Sequence, residues 1–255
     1  MPDTIYQRLT ENARRQGGCF FLLVDPDRGE LSSIIPLAEA AEETGVDAML
    51  VGTSFLFKAE FQSALAEIKR AASVPVILFP GSASQVAPGA DAILFMSLIS
   101  GRNPTYLIEE QVRGAQFVKA ARIEAIPTGY MLIESGSYTS VEYVSNTRPI
   151  PRGKGDLAAA HALAAQHLGM KLVYLEAGSG ARLAVPEKMI EEVAAHVEIP
   201  IVVGGGIVTP EDARDKISAG ASFVVVGTRF EAPSSLQRLR EFAEACHPEL
   251  VKGAV

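Results

Sequence analysis

The stretch KLVYLEAGSG, residues 171–180, decides how the rest of the chain is read. Leu172-Val173-Tyr174-Leu175 is an apolar run long enough for a buried strand and too short for a helix. It turns at once into Glu176-Ala177-Gly178-Ser179-Gly180. A carboxylate at the end of a strand can take a proton from a hydroxyl held beside it. The glycines let backbone N–H groups approach a ligand, and Ser179 adds a hydroxyl. Tyr174 lies two residues before Glu176, so in a strand both side chains face the same way. Taken alone, the pattern also describes a Glu at an ordinary turn. Two further strand-to-glycine junctions follow, Val203-Gly204-Gly205-Gly206 and Val226-Gly227-Thr228, and they turn it into a repeat.

Worked outward, the same unit recurs along the chain. Apolar runs predict strands over 19–24, 48–51, 74–79, 91–96, the part of 121–133 after Pro127, 172–175, 199–203 and 223–226. Helical patterns fall between them. Ile34, Leu37, Ala38 and Ala41 share one face of a helix over 33–44, with Pro36 in its first turn. Further helices are predicted over 5–13, 59–71, 105–119, 156–168, 186–196 and 234–246. Another begins at Thr209-Pro210-Glu211-Asp212, a hydroxyl cap followed by Pro and acidic residues. The repeat breaks once. The residues from 80 to 90 are too few for an ordinary parallel crossover, which predicts that the third barrel helix is missing or reduced to one turn. The fold class is therefore α/β, a single (β/α)8 barrel domain over 1–255, close to the roughly 250 residues usual for that fold. Polar and glycine residues gather at the C-terminal strand ends, which places the site on that face.

Composition narrows the function. Hydrophobic residues make up 48% of the 255, enough for a large core. The net charge of −7 argues against a nucleic-acid surface, which needs clustered Lys and Arg. Cys19 and Cys246 could form a single bridge but are read as reduced thiols, and no Cys/His cluster suggests zinc. No signal-peptide pattern or transmembrane segment is visible, so a cytoplasmic protein is expected. The segment 137–155 is polar and rich in turn formers, and a loop of that length is usually functional.

At the strand ends, Gly204-Gly205-Gly206 and Gly227-Thr228 occupy the loops that in barrels often hold a phosphate. Across the mouth, Asp25 and Asp27 follow strand one, and Thr53 and Ser54 follow strand two. Carboxylate and hydroxyl oxygens suit Mg²⁺, although Asp25-Pro26-Asp27 also reads as a simple turn. Glu176 stands between the two sites as a general base, or as a structural Glu paired with Arg182. Arg102 could clamp a diphosphate or pair within its loop. His161, His167, His196 and His247 fall in helices or the tail and are poor catalytic candidates. Phe20, Phe55, Phe57, Phe79, Phe95 and Tyr130 lie near strands that could supply an apolar trough, or simply core.

VDPD at 24–27, VGTS at 51–54, FPGS at 79–82, SLISGRNP at 97–104, YLEAGSG at 174–180, VGGGI at 203–207 and VGT at 226–228 together resemble the geranylgeranylglyceryl phosphate synthase family. YLEAGSG and SLISGRNP resemble its second group. The resemblance implies a prenyltransferase that joins sn-glycerol 1-phosphate to a polyprenyl diphosphate, usually geranylgeranyl diphosphate, with Mg²⁺ and release of pyrophosphate. It also implies a barrel lacking a regular third helix. It assigns Asp25 and Ser54 to Mg²⁺ and Glu176 to the base. Glycerol phosphate would be held by Tyr174, Leu175, Glu176, Ala177, Gly178, Ser179, Gly180, Gly204, Gly205, Gly227 and Thr228. Arg28 and Thr53 depart from the family's usual Lys and Gly. A homo-oligomer, dimer or hexamer, is implied, and transient membrane contact is left open. Two other readings stand beside this one: a sugar-phosphate isomerase on the same scaffold, and a binding protein that keeps only the phosphate cup.

Overall fold

The computed structural model describes residues 4–58, 60–227 and 235–252. Eight strands, β1 (Cys19–Val24), β2 (Ala48–Val51), β3 (Val76–Leu78), β4 (Ala92–Leu98), β5 (Glu124–Leu132), β6 (Leu172–Glu176), β7 (Ile201–Gly204) and β8 (Phe223–Val226), follow one another around a closed barrel. All pairings are parallel, and β8 closes onto β1. Every position of β2, β6, β7 and β8 is buried. That is why these strands read as unbroken apolar runs and not as alternating ones. Phe21, Leu50, Ile77, Leu94, Tyr174 and Phe223 fill the interior. Leu22, Val51, Leu78, Leu175 and Val203 face the helical layer.

Helix α1 (Ile5–Gln16) plugs the N-terminal end. Its Leu9 and Ala13 join the interior cluster, and the Ile5 N–H donates to Glu124 at 2.6 Å. At that same end Asp47 accepts from Gln16, from the Phe20 N–H and from His247. His247 thus serves the closed end of the barrel. Cys19 and Cys246 are free and buried.

Around the barrel run α2 (Leu31–Glu39), α3 (Phe61–Ala71), α4 (Glu110–Ala121), α5 (Ser140–Ser145), α6 (Gly155–His167), α7 (Glu187–Ala194), α8 (Pro210–Ser218), α9 (Ser235–Cys246) and α10 (Pro248–Lys252). The expected capping of α8 is present: Thr209 and Asp212 exchange side-chain and backbone bonds, with Pro210 leading. Between β3 and β4 there is only a one-turn 3₁₀ segment, Ala83–Gln85, in place of the third helix.

Three expectations need correction. Helix α2 begins earlier than the apolar pattern suggests, so Pro36 lies in its second turn. Pro186 is the cap before α7 and not its first residue. Strand β5 does not wait for Pro127 but runs through it from Glu124. The Pro127 carbonyl accepts the Lys171 N–H at 2.8 Å. Strand β6 starts only at Leu172, so the missing N–H faces a stretch with no strand to receive it. The polar segment 137–155 contains α5, capped by Thr139, and folds over the barrel mouth.

Candidate active site

Glu176 is the last residue of β6 and is 5% exposed. Its Oε1 accepts the Gly178 N–H at 2.6 Å. Burial pushes its carboxyl up to about 7, while the Gly178 N–H and the nearby Tyr174 hydroxyl pull it down. No cation pairs with it among the described residues; Arg182 is exposed, and its N–H contacts Ser137. An unpaired buried carboxyl poised near neutrality, beside a cavity, suits proton transfer.

Gly205 shows why glycine is needed here. Its φ is 83°, and an added carbon would lie 2.4 Å from Glu176 Oε1 and 2.6 Å from the Gly178 N–H nitrogen. The strand ends thus pack backbone against the carboxyl so closely that no side chain fits. The Tyr174 hydroxyl is also buried beside this carboxylate, near enough to act on its charge but not aligned to hydrogen-bond it. A buried hydroxyl without a partner is costly unless a ligand supplies one.

Tyr174, Glu176, Ser179, Gly180, Gly205 and Gly227 line one cavity, and Asp25 and Ser54 line its other side. Leu175 and Ala177 instead pack into the outer core, so only their backbones are near the site. Gly178 gives its N–H to Glu176, and the Gly204 carbonyl accepts from Ala177 at 3.0 Å. Thr228 lies outside the described residues.

Asp25 is both a turn residue and a cavity residue. Its Oδ1 accepts the N–H groups of Asp27 and Arg28, at 3.0 and 3.2 Å. Burial raises its carboxyl, offset by the Thr53 hydroxyl, those two N–H groups and the Arg28 charge. Asp27 does something else: it is buried and accepts the N–H groups of Phe57 and Lys58. Arg28 lines the cavity. Arg102 does not; it donates to the carbonyls of Gly101 and Ser100 in its own loop. Asp25 and Ser54 bring one carboxylate and one hydroxyl to the same cavity, a donor set compatible with a Mg²⁺ that keeps most of its waters. They do not make a protein cage, and the described residues hold no group of three or more metal-ligating side chains.

Beyond Tyr174 the cavity becomes apolar. Phe79 stacks on Tyr174 with centroids 5.3 Å apart, and Tyr130 tilts against both. Residues from both faces of β4 line it, Leu94 and Met96 within and Ile93 and Phe95 without. Val86 and Gly114 complete a trough beside the place a third helix would fill. Of the aromatics read as trough candidates, Phe79, Phe95 and Tyr130 line it; Phe20 stacks on Phe242, and Phe55 and Phe57 face solvent. Gln85 escaped sequence reasoning. It is 1% exposed and bonds both backbone groups of Thr53. Its only signal was the short connection that carries it.

The PcrB family model matches residues 11–246. The chain is 45% identical over 231 residues to the geranylgeranylglyceryl phosphate synthase of Flavobacterium johnsoniae, covering 91% of this chain and 95% of the relative. It is 46% identical over 226 residues to the enzyme of that name from Pyrococcus horikoshii, covering 88% of each. Among solved structures it is similar to (S)-3-O-geranylgeranylglyceryl phosphate synthase from Thermoplasma acidophilum in complex with its substrate sn-glycerol-1-phosphate. That likeness has a TM-score of 0.91 and 35% identity, over 96% of this chain and 99% of the other.

Proposed function

The chain belongs to the PcrB family, and we propose that it joins sn-glycerol 1-phosphate to a polyprenyl diphosphate, forming an ether and releasing pyrophosphate. One observation carries this reading. The buried, unpaired Glu176 stands between a glycine-lined cup and an apolar trough, the two surfaces that a phosphate and a prenyl tail require.

The cup accounts for the acceptor. Gly205, Gly227, Ser179 and Gly180 give backbone N–H groups and a hydroxyl to the phosphate, and the idle Tyr174 hydroxyl gives one more donor. Glu176 takes the proton from the glycerol hydroxyl as its oxygen bonds to the allylic carbon. The bond from that carbon to the diphosphate oxygen breaks, and pyrophosphate leaves with the electron pair. A positioned base of suitable pKa contributes about 10²–10⁴ in rate. Holding the hydroxyl beside the carbon removes the entropy cost of the encounter.

Asp25 and Ser54 would hold Mg²⁺. When bound, Mg²⁺ offsets the charge that develops on the departing diphosphate. Arg28 at the same rim adds a second cation. The donor tail would lie along Phe79, Tyr130, Phe95 and Val86. A sugar-phosphate isomerase would leave this trough without a use. Assembly into a homo-oligomer belongs to the same reading and is supported by the exposure of the apolar side chains Val112 and Phe117 on α4 and of Ile108 just before it.

The test is turnover with Mg²⁺, geranylgeranyl diphosphate and each enantiomer of glycerol phosphate. Ether product from the 1-phosphate alone is expected. No product from either acceptor, with glycerol phosphate still binding, would sink the reading.

A further inference from the structure

The loop after β2 displays two phenyl rings. Phe55 is 49% exposed and Phe57 is 78% exposed, and the rings meet edge to face at 4.9 Å. This is not a slack loop. The Phe57 N–H donates to both oxygens of Asp27 at 3.0 Å, and the Lys58 N–H donates to Oδ1 at 2.6 Å. Asp27, 6% exposed, is thereby spent on holding the loop. Leu56 turns inward between the rings and packs on the outer core.

Burying a carboxylate is unfavourable, and so is fixing two large apolar rings in water. A fold that does both at one place has a use for the rings. Their position says which. The residues just before them, Thr53 and Ser54, line the active-site cavity, and the Thr53 hydroxyl donates to the Phe55 carbonyl at 3.2 Å. The rings therefore sit at the end of the cavity where Asp25 and Ser54 face the diphosphate. The exposed Arg28, 3.8 Å from Asp25, lines the cavity here, and the exposed Lys58 follows the second ring in the chain.

A polyprenyl diphosphate dissolved in a bilayer keeps its tail among the acyl chains and its diphosphate at the headgroup level. That is also the depth at which interfacial aromatic side chains settle, with cations reaching the phosphates around them. We propose that Phe55 and Phe57 form a membrane-docking pair that sets the cavity mouth on a phospholipid bilayer, at the height of the donor's diphosphate. The inference rests on the prenyl-donor reading above and deepens it.

The test is sedimentation of the full chain with phosphatidylcholine vesicles, comparing wild type with the Phe55→Ser/Phe57→Ser double variant. Wild type is expected to bind, and the double variant to bind at least about tenfold more weakly. The variant keeps wild-type turnover on geranyl diphosphate, a donor short enough to be presented in solution. It loses turnover on geranylgeranyl diphosphate embedded in the vesicles. Equal sedimentation of the two proteins, or none by either, overturns the proposal. So does a drop in oligomer size in the double variant without vesicle binding by wild type, which would make the rings a subunit contact. If the double variant does not fold, Phe57→Ser alone carries the same comparison. Wild type inactive on both donors would defeat the reaction reading, while sedimentation would still decide the docking.

Discussion

The Tyr174 hydroxyl and the Glu176 carboxylate converge on one point above Gly204, where an added carbon would lie 2.4 Å from the first and 3.0 Å from the second. Neither group can retreat easily. Tyr174 is wedged between Phe79 and Tyr130, and Glu176 is tied to the Gly178 N–H. Gly204→Ala should therefore cost about 1–3 kcal/mol of stability through overpacking and lower kcat/KM more than it lowers melting temperature would suggest. Calorimetry beside steady-state kinetics checks it; a variant with wild-type kcat/KM would show that the point is roomier than it looks.

Glu176 sets a pH dependence with a definite sign. Its carboxyl is raised from 4.5 to about 7 in the folded protein, so the native state holds a proton that the unfolded chain has released. The stability tied to this proton is fully present below pH 4.5 and is lost as pH rises through 7. The whole cost above pH 7 is about 3 kcal/mol. Glu176→Gln cannot ionise, so its melting temperature should exceed wild type by a margin that widens between pH 5 and 8, by roughly 2–4 °C per kcal/mol. Turnover behaves oppositely: wild type gains activity as pH rises through about 7, and the Gln variant loses about 10²–10⁴ while still binding glycerol phosphate. Melting curves of the two proteins that run parallel with pH would contradict the assignment.

Tyr174→Phe separates binding from folding. The hydroxyl it removes meets no partner in full hydrogen-bond geometry but holds the Glu176 carboxyl down, so its loss should change stability by no more than about 1 kcal/mol and push the Glu176 carboxyl further up. If the hydroxyl serves the phosphate, affinity for sn-glycerol 1-phosphate falls about tenfold. Isothermal titration with that ligand decides, and unchanged affinity would make Tyr174 a core residue only.

What the sequence disclosed and what it hid divide along a physical line. Strand ends, glycine junctions and the missing helix are local: a short apolar run, a residue tolerant of positive φ, a connection too short for a crossover. Glu176 and Tyr174 could be placed on one side of β6 because strand alternation fixes direction. Asp25 and Asp27 could not be separated that way. Both stand in the same turn, and what commits Asp27 is backbone about 30 residues further on, at Phe57 and Lys58. Strand β5 was hidden for a similar reason, since whether Pro127 interrupts a strand depends on where its neighbour begins.

Gln85 is the furthest case, and it yields the last prediction. Its Nε2 donates to the Thr53 carbonyl at 2.9 Å, and its Oε1 accepts the Thr53 N–H at 3.2 Å, across 32 residues of chain. The strap that carries it is pressed onto the same loop. A carbon added at Gly81 would lie 2.5 Å from the Thr53 carbonyl oxygen and 2.8 Å from that of Ser54. The segment replacing the third helix thus fixes the donor side of the cavity, where Asp25 and Ser54 stand, while the cup beside Glu176 belongs to β6, β7 and β8. Gln85→Leu keeps the volume but strands both Thr53 groups, at a cost of about 1–3 kcal/mol. Its effect on substrates should be one-sided. Affinity for sn-glycerol 1-phosphate holds, the KM for the prenyl donor rises severalfold, and more Mg²⁺ is needed for half-maximal rate. Titration of the acceptor and a donor saturation series check this together. Equal damage to both substrates would mean that Gln85 supports the barrel as a whole and not the donor side in particular.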